Sequence, residues 1–144
     1  MIDVKIKLID EGCLPKLVRD GDVCYDCRAS IEEGTEVCIA PHSRTLIPLG
    51  FALELPENYE AVIRPRSGLS GKGIDVCIGT IDTNYRGEVS ARVCNNSDDY
   101  FKIEPHDRIC QMAIRETPVS NLVVVKELSE TNRGKAGFGS TGVK

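Results

Sequence analysis

The sequence has no tryptophan, and only 5% of its residues are aromatic. Aromatic packing cannot dominate its core. Each Tyr or Phe in a polar or glycine-rich stretch is therefore a candidate for contact with something other than core. Positive charge is also scarce, with 18 Lys and Arg against 22 Asp and Glu, a formal charge of −4. That balance argues against a general nucleic-acid binder, whose affinity rests on neutralising phosphates. It leaves room for one small anion in a locally basic pocket. No stretch approaches the ~18 consecutive apolar residues of a membrane span, so no membrane partner is expected. Histidine occurs only at His42 and His106, and the single CxxC, Cys24 to Cys27, has no second half. A zinc site needs more ligands than that. Residues three apart on a strand point to opposite faces, so these two thiols are expected to diverge and to be buried and reduced.

The chain is 144 residues long, 41% hydrophobic and 28% charged, which fits one soluble globular domain. Val and Ile total 26 against 17 for Leu and Ala, with 13 Gly and 7 Pro. β-branched side chains favour pleated surfaces, and the Gly and Pro count favours turns, so the fold class expected is all-β. Seven cysteines cannot all pair within one chain. The alternating start Met1-Ile2-Asp3-Val4-Lys5 lacks the apolar run of a signal peptide. Free thiols in a reducing cytoplasm are the expectation.

Period-two alternation from Ile2 to Leu8 predicts a half-buried strand at the first residues. Further strands are expected at Val23–Cys27, Val37–Ala40, Tyr59–Ile63, Ile109–Ile114 and Leu122–Val125. Leu46–Leu55 carries Pro48 and Gly50, which marks an edge or bulged strand. Arg64–Gly73 reads as a Gly/Ser/Arg loop with one helical turn possible after Ser67. Ile74–Ile81 and Val89–Val93 flank Asp82–Gly87, which reads as a hairpin connection. Turns about every ten residues with short strands between them indicate a sandwich or barrel. Residues 1–130 are assigned to this β domain and 131–144 to a glycine-rich arm that cannot build core.

Three segments carry chemistry. Arg64-Pro65-Arg66-Ser67-Gly68-Leu69-Ser70-Gly71 combines guanidinium, hydroxyls and backbone donors, the groups an anionic oxygen requires. It is not a Walker loop, which needs Gly where Arg66 sits and Ser or Thr where Gly73 sits. No G-x-S-x-G elbow surrounds Ser67, so a serine nucleophile with either His is disfavoured. Asp82-Thr83-Asn84-Tyr85-Arg86-Gly87 puts a carboxylate and an aromatic in a turn, where Asp82 could equally cap local amides. In the tail, Arg133 and Phe138 sit among glycines. An aromatic is costly to leave solvated, and an arm closing on a ligand would give it a stacking partner.

In this order and near these spacings, the segments resemble the trimeric dUTPase family (deoxyuridine triphosphate nucleotidohydrolases). Five motifs carry the resemblance: Tyr25-Asp26-Cys27-Arg28-Ala29, Pro65-Arg66-Ser67-Gly68-Leu69, Gly79 to Glu88, Asp107-Arg108-Ile109-Cys110-Gln111, and Arg133 to Gly142. The resemblance implies a jelly-roll-like β-barrel forming a homotrimer, its sites at subunit interfaces and each closed by an arm from a neighbouring chain. It implies Mg²⁺-dependent hydrolysis of dUTP to dUMP and pyrophosphate. It gives Asp82 the attacking water and the sugar 3′-hydroxyl, and places Tyr85 under the deoxyribose where a 2′-hydroxyl would collide. It assigns uracil reading to backbone around Gly79 and Ile81, and the phosphates to Arg66, Ser67, Gly68 and Gln111. Asp26 would hold Mg²⁺ through water. Arg133 would clamp the γ-phosphate, Phe138 would stack on uracil, and Gly139, Ser140 and Thr141 would add donors. Cys27, Cys110 and Ala136 depart from the family's usual small or aliphatic residues. A dCTP deaminase on the same fold is the nearest alternative, but Arg92 stands where its catalytic glutamate would be. Arginine cannot shuttle protons. A non-catalytic nucleotide-binding homologue is the other alternative, and intact Asp82, Gln111 and Arg133 speak against it.

Overall fold

The computed structural model describes residues 1–137. The described residues hold eleven strands, one 3-10 turn (Glu11–Cys13) and one helical turn, so the all-β expectation is met. In chain order the strands are β1 (Lys5–Leu8), β2 (Tyr25–Arg28), β3 (Val37–Ile39), β4 (Ser43–Pro48), β5 (Phe51–Glu54), β6 (Tyr59–Arg64), β7 (Ile74–Val76), β8 (Gly79–Ile81), β9 (Ser90–Asn95), β10 (Phe101–Ile103) and β11 (Arg108–Glu116). The helical turn α1 (Ser67–Ser70) lies in the Gly/Ser/Arg loop. Among the described residues no helix is long and apolar enough to cross a membrane.

All pairings are antiparallel, in four sheets ordered β2-β11-β6-β8, β4-β9-β7, β1-β5 and β10-β3. Among the described residues no closed ring of strand pairing is found. The sheets instead meet face to face over one apolar core. Its most buried side chains include Phe51, Ile39, Ile47, Leu49, Ile63, Ile103 and Ile109. Aliphatic side chains supply nearly all of it, as the aromatic scarcity requires. Asn95 is the one fully buried polar side chain among the described residues. Its Nδ2 donates to the carbonyls of Ile39, Ala40 and Asp99, and its Oδ1 accepts from the Ser97 amide and hydroxyl. A buried amide is tolerated only when satisfied in this way.

Several local expectations are corrected by tertiary pairing. Leu46–Leu55 is two strands, because Gly50 sits at φ 72 and turns the chain between them. The Asp82–Gly87 connection is not a hairpin. β8 before it pairs with β6, whereas β9 after it pairs with β4 and β7. The segment crosses from one sheet to another, and Val89 anchors its far end by exchanging hydrogen bonds with Leu49 and Phe51. β1 begins only at Lys5, and Ile2 and Ile6 are exposed rather than half-buried. The expected strand at Leu122–Val125 does not form: residues 117–137 hold no strand or helix, and Leu122 and Val124 are almost fully exposed. A strand needs an edge to pair with, and this segment finds none among the described residues. The two thiols of the CxxC diverge as expected, although only Cys27 is buried and Cys24 is half-exposed. All seven cysteines are free.

Candidate active site

Apart from Arg133, the expected site residues among the described residues fall into two separate cavities. The first, about 510 Å³, is lined by Asp26, Arg66, Ser67, Gly68, Arg108 and Gln111, with the 18–24 loop closing its far side. β2, β11 and the β6–α1 junction position these groups. Gln111 on β11 lies in register with Asp26 on β2 and with Arg64 on β6. Strand alternation sends Cys27 to the opposite face from Asp26, into the core beside Cys110. There a hydrogen bond with Cys110, together with burial, pushes the Cys27 thiol well up, so it stays neutral.

Asp26 is the hinge of this cavity. One carboxylate oxygen lies 3.3 Å from Arg66 Nε and the other 3.1 Å from Arg108 Nη1. Arg66 Nη1 also donates to the Arg108 carbonyl at 2.7 Å. The guanidinium is thus fixed on one side, while Nη2 has no partner among the described residues. A planar guanidinium held on one side by a carboxylate can offer its remaining donors to a second anion. Ser67 and Gly68 lead the α1 turn, where the first amides have no carbonyl within the helix to bond. Gln111 Nε2 donates to the Pro65 carbonyl at 2.8 Å, tying β11 to the arginine loop. Asp22 Oδ2 accepts from the amides of Val18 and Arg19 and shapes the loop opposite. Arg108 received no role from sequence reasoning. Its signal was present in the fourth motif, but only the β2–β11 pairing reveals that it shares Asp26 with Arg66.

The second cavity, about 280 Å³, is lined by Gly79, Thr80, Ile81, Asp82, Tyr85 and Glu88, with Leu46 and Ile63 at its base. Asp82 is exposed, and its carboxylate makes no hydrogen bond among the described residues. The turn around it is nevertheless well built. The Tyr85 amide donates to the Asp82 carbonyl, Thr83 Oγ1 to the Tyr59 carbonyl at 2.9 Å, and Arg86 Nη1 to the carbonyls of Thr83 and Tyr85. The Tyr85 ring lies on Gly87, where a Cβ would overlap its hydroxyl, and that hydroxyl donates to the Glu88 carbonyl at 3.2 Å. Tyr85 is held as a 46% exposed platform rather than packed into core.

The two cavities share no lining residue, so one chain does not bring Asp82 to Arg66 and Gln111. Arg133 joins neither, and its Nε donates to the Ala136 carbonyl at 2.9 Å in the exposed C-terminal segment. Phe138, Gly139, Ser140 and Thr141 lie outside the described residues.

The dUTPase family model matches residues 10–142. The chain belongs to the dUTPase family. It is similar to the deoxyuridine 5′-triphosphate nucleotidohydrolase of Rhizobium rhizogenes, 44% identical over 133 residues covering 90% of this chain and 85% of that one. It is 43% identical to the enzyme of the same name from Alkaliphilus metalliredigens, with both chains fully covered. Among solved structures, the Staphylococcus bacteriophage 80alpha dUTPase with dUPNHPP superposes with a TM-score of 0.88, at 25% identity, over 99% of this chain and all of that one. A mutant dUTPase from phage phi11 of S. aureus, described as coordinating a structural Mg(II) ion, shares the fold at a TM-score of 0.79 and 20% identity, over 90% of this chain and all of that one.

Proposed function

We propose that this chain hydrolyses dUTP to dUMP and pyrophosphate, at sites each assembled from several copies of the chain. The observation that carries the reading is a dUTPase-family match across residues 10–142 in a chain that keeps Asp82, Arg66, Gln111 and Arg133. The separation of the two cavities supports a shared site: each holds half of what the reaction needs. In a homotrimer of jelly-roll-like protomers, the arginine cavity of one chain faces the Asp82 cavity of another. The 131–144 arm of a neighbouring chain closes over both.

Asp82 accepts hydrogen bonds from a water and from the 3′-hydroxyl, a task that suits a carboxylate with no internal partner. The water attacks the α-phosphorus in line, its proton passes to Asp82, and pyrophosphate leaves. Tyr85 packs beneath the deoxyribose and excludes a 2′-hydroxyl. Backbone at Gly79 and Ile81 reads the uracil edge. Arg66, with the Ser67 and Gly68 donors and Gln111, binds the phosphates and stabilises charge developing there. Arg133 clamps the terminal phosphate, Phe138 stacks on the base, and Gly139, Ser140 and Thr141 add donors. Arm closure excludes water other than the nucleophile.

Among the groups lining the first cavity, the Asp22 and Asp26 carboxylates and the Ser67 hydroxyl are oxygen ligands of the kind Mg²⁺ takes. Both Asp26 oxygens already face guanidinium groups. Asp26 therefore suits outer contact through water, with substrate phosphates as the direct ligands. When bound, Mg²⁺ supplies charge neutralisation and orientation of the triphosphate. The free thiols make the cytoplasm the compartment proposed.

Pyrophosphate release from a panel of nucleoside triphosphates, with Mg²⁺ and with chelator, tests the reading. Release from dUTP alone, lost with chelator, is the expected result. Equal release from UTP or dCTP, or ammonia from dCTP, would overturn it.

A further inference from the structure

A second polar cluster lies away from both cavities, where the 3-10 turn meets the loop entering β11. Asp10 precedes the turn and its Oδ1 accepts from the Gly12 amide at 2.9 Å. Asp10 Oδ2 accepts from the Cys13 thiol at 3.4 Å and from Ser30 Oγ at 3.1 Å. His106 Nε2 sits 3.1 and 3.0 Å from the two Asp10 oxygens. One ligand atom from each of Asp10, Cys13 and His106 falls within 4.8 Å of the others. Tetrahedral zinc, with bonds of ~2.0–2.3 Å, needs its ligand atoms about 3.3–3.7 Å apart. A small closing movement of three side chains reaches that geometry.

The surroundings hold the cluster in place. A Cβ on Gly12 would overlap the His106 ring, so only glycine leaves the imidazole room. A Cβ on Gly50 would come within 2.8 Å of both Asp10 Cβ and Cys13 Cβ. His106 itself stands at φ 63, a conformation costly for a non-glycine residue. Its carbonyl accepts from Arg28 Nη1 at 2.7 Å, and its other ring nitrogen, Nδ1, lies 3.5 Å from Glu33 Oε1. A carboxylate behind a histidine is the usual outer partner of a metal-ligating imidazole, because it holds the proton on the far nitrogen.

We infer that Asp10, Cys13 and His106 form a binding site for one divalent cation of the zinc class, with water at the fourth position and Glu33 orienting His106. The mixed oxygen, nitrogen and sulfur set selects against Mg²⁺ and Ca²⁺, which take oxygen ligands. Cation uptake forms the metal–sulfur bond and releases the thiol proton to solvent. The site is independent of the dUTP reading and joins the 3-10 turn to the loop entering β11.

The test uses the full chain without a polyhistidine tag, titrated with Co²⁺ and, by equilibrium dialysis, with Zn²⁺. The expected result is one cation per chain and a near-ultraviolet thiolate-to-cobalt charge-transfer band that excess Mg²⁺ does not remove. Cys13→Ser abolishes the band. His106→Gly, which suits the positive φ, lowers Zn²⁺ affinity by more than the roughly 10–100-fold expected of Glu33→Gln. Absence of the band, its loss on adding Mg²⁺, its persistence in Cys13→Ser, or unchanged Zn²⁺ affinity in His106→Gly would overturn the assignment. If Cys13→Ser fails to fold by circular dichroism, His106→Gly decides.

Discussion

The arginine cavity and the Asp82 cavity differ in how their charges are compensated. In the first, Asp26 is held between Arg66 and Arg108, and Gln111 is tied to Pro65, all within one chain. That half is preorganised: its side chains are fixed before any ligand arrives, which lowers the entropy cost of binding. In the second, backbone hydrogen bonds set the turn, but the Asp82 carboxylate faces outward with no partner among the described residues. The first half holds its charged groups against one another, whereas the second presents a carboxylate that, in the proposed function, acts as the base. Under the proposed reading neither suffices alone, and the difference is what points to a unit of function larger than the single chain.

The most severe way to break this comparison is at the free carboxylate. Asp82→Asn keeps shape and removes the proton acceptor, so kcat falls by ~10²–10⁴ while dUTP still binds. Steady-state kinetics alongside calorimetry with a non-hydrolysable analogue separates the two, and retained turnover would remove Asp82 from its role. Deleting Arg133–Lys144 tests whether the two halves still need closure. A folded trimer with activity down by roughly 10²-fold is expected, because loose positioning alone costs that much. Full activity in the truncated chain would rule out the closing arm.

Arg66→Ala strips the preorganised half of a charge-assisted contact worth ~1.5–3 kcal/mol, or about 10–100-fold in kcat/KM. Mixing Arg66→Ala with Asp82→Asn chains sharpens the comparison further. If each site takes one cavity from each of two chains, about a quarter of sites in randomly mixed oligomers recover both intact halves. No recovery would place the whole site in one chain. The smallest effect is expected at the platform. Tyr85→Ala lowers the preference for dUTP over UTP by roughly tenfold or more, read as the ratio of kcat/KM values. Unchanged discrimination would refute the steric account.

Much of this was legible in the sequence where chemistry is carried by contiguous residues. The Arg66-Ser67-Gly68 run, the Asp82–Gly87 turn and the β-rich class follow from residue type and spacing. Even the short helical turn after Ser67 is where the Gly/Ser/Arg loop allowed it. What stayed illegible depends on pairing between distant strands. The Asp82 turn looked like a hairpin because apolar runs flank it, yet β8 and β9 belong to different sheets. Leu122–Val125 has the residues of a strand and no edge to join among the described residues. Arg108 looked like one more charge until the β2–β11 register set it on Asp26. The Asp10–Cys13–His106 cluster spans 96 positions and matches no short spacing.

By itself, then, the sequence determined the all-β class, the scarcity of aromatics that singled out Tyr85 and Phe138, and the types of group available for anion chemistry. These are local properties, since rotamer freedom, turn chemistry and charge belong to each residue wherever it lies. Only the tertiary structure decided which groups meet. The register of β2, β11 and β6 built the arginine cavity, and the crossover from β8 to β9 carried Asp82 and Tyr85 to another one. Strand pairing is a long-range choice among competing partners, made by burial and backbone hydrogen bonding over the whole chain, and no single segment encodes its outcome.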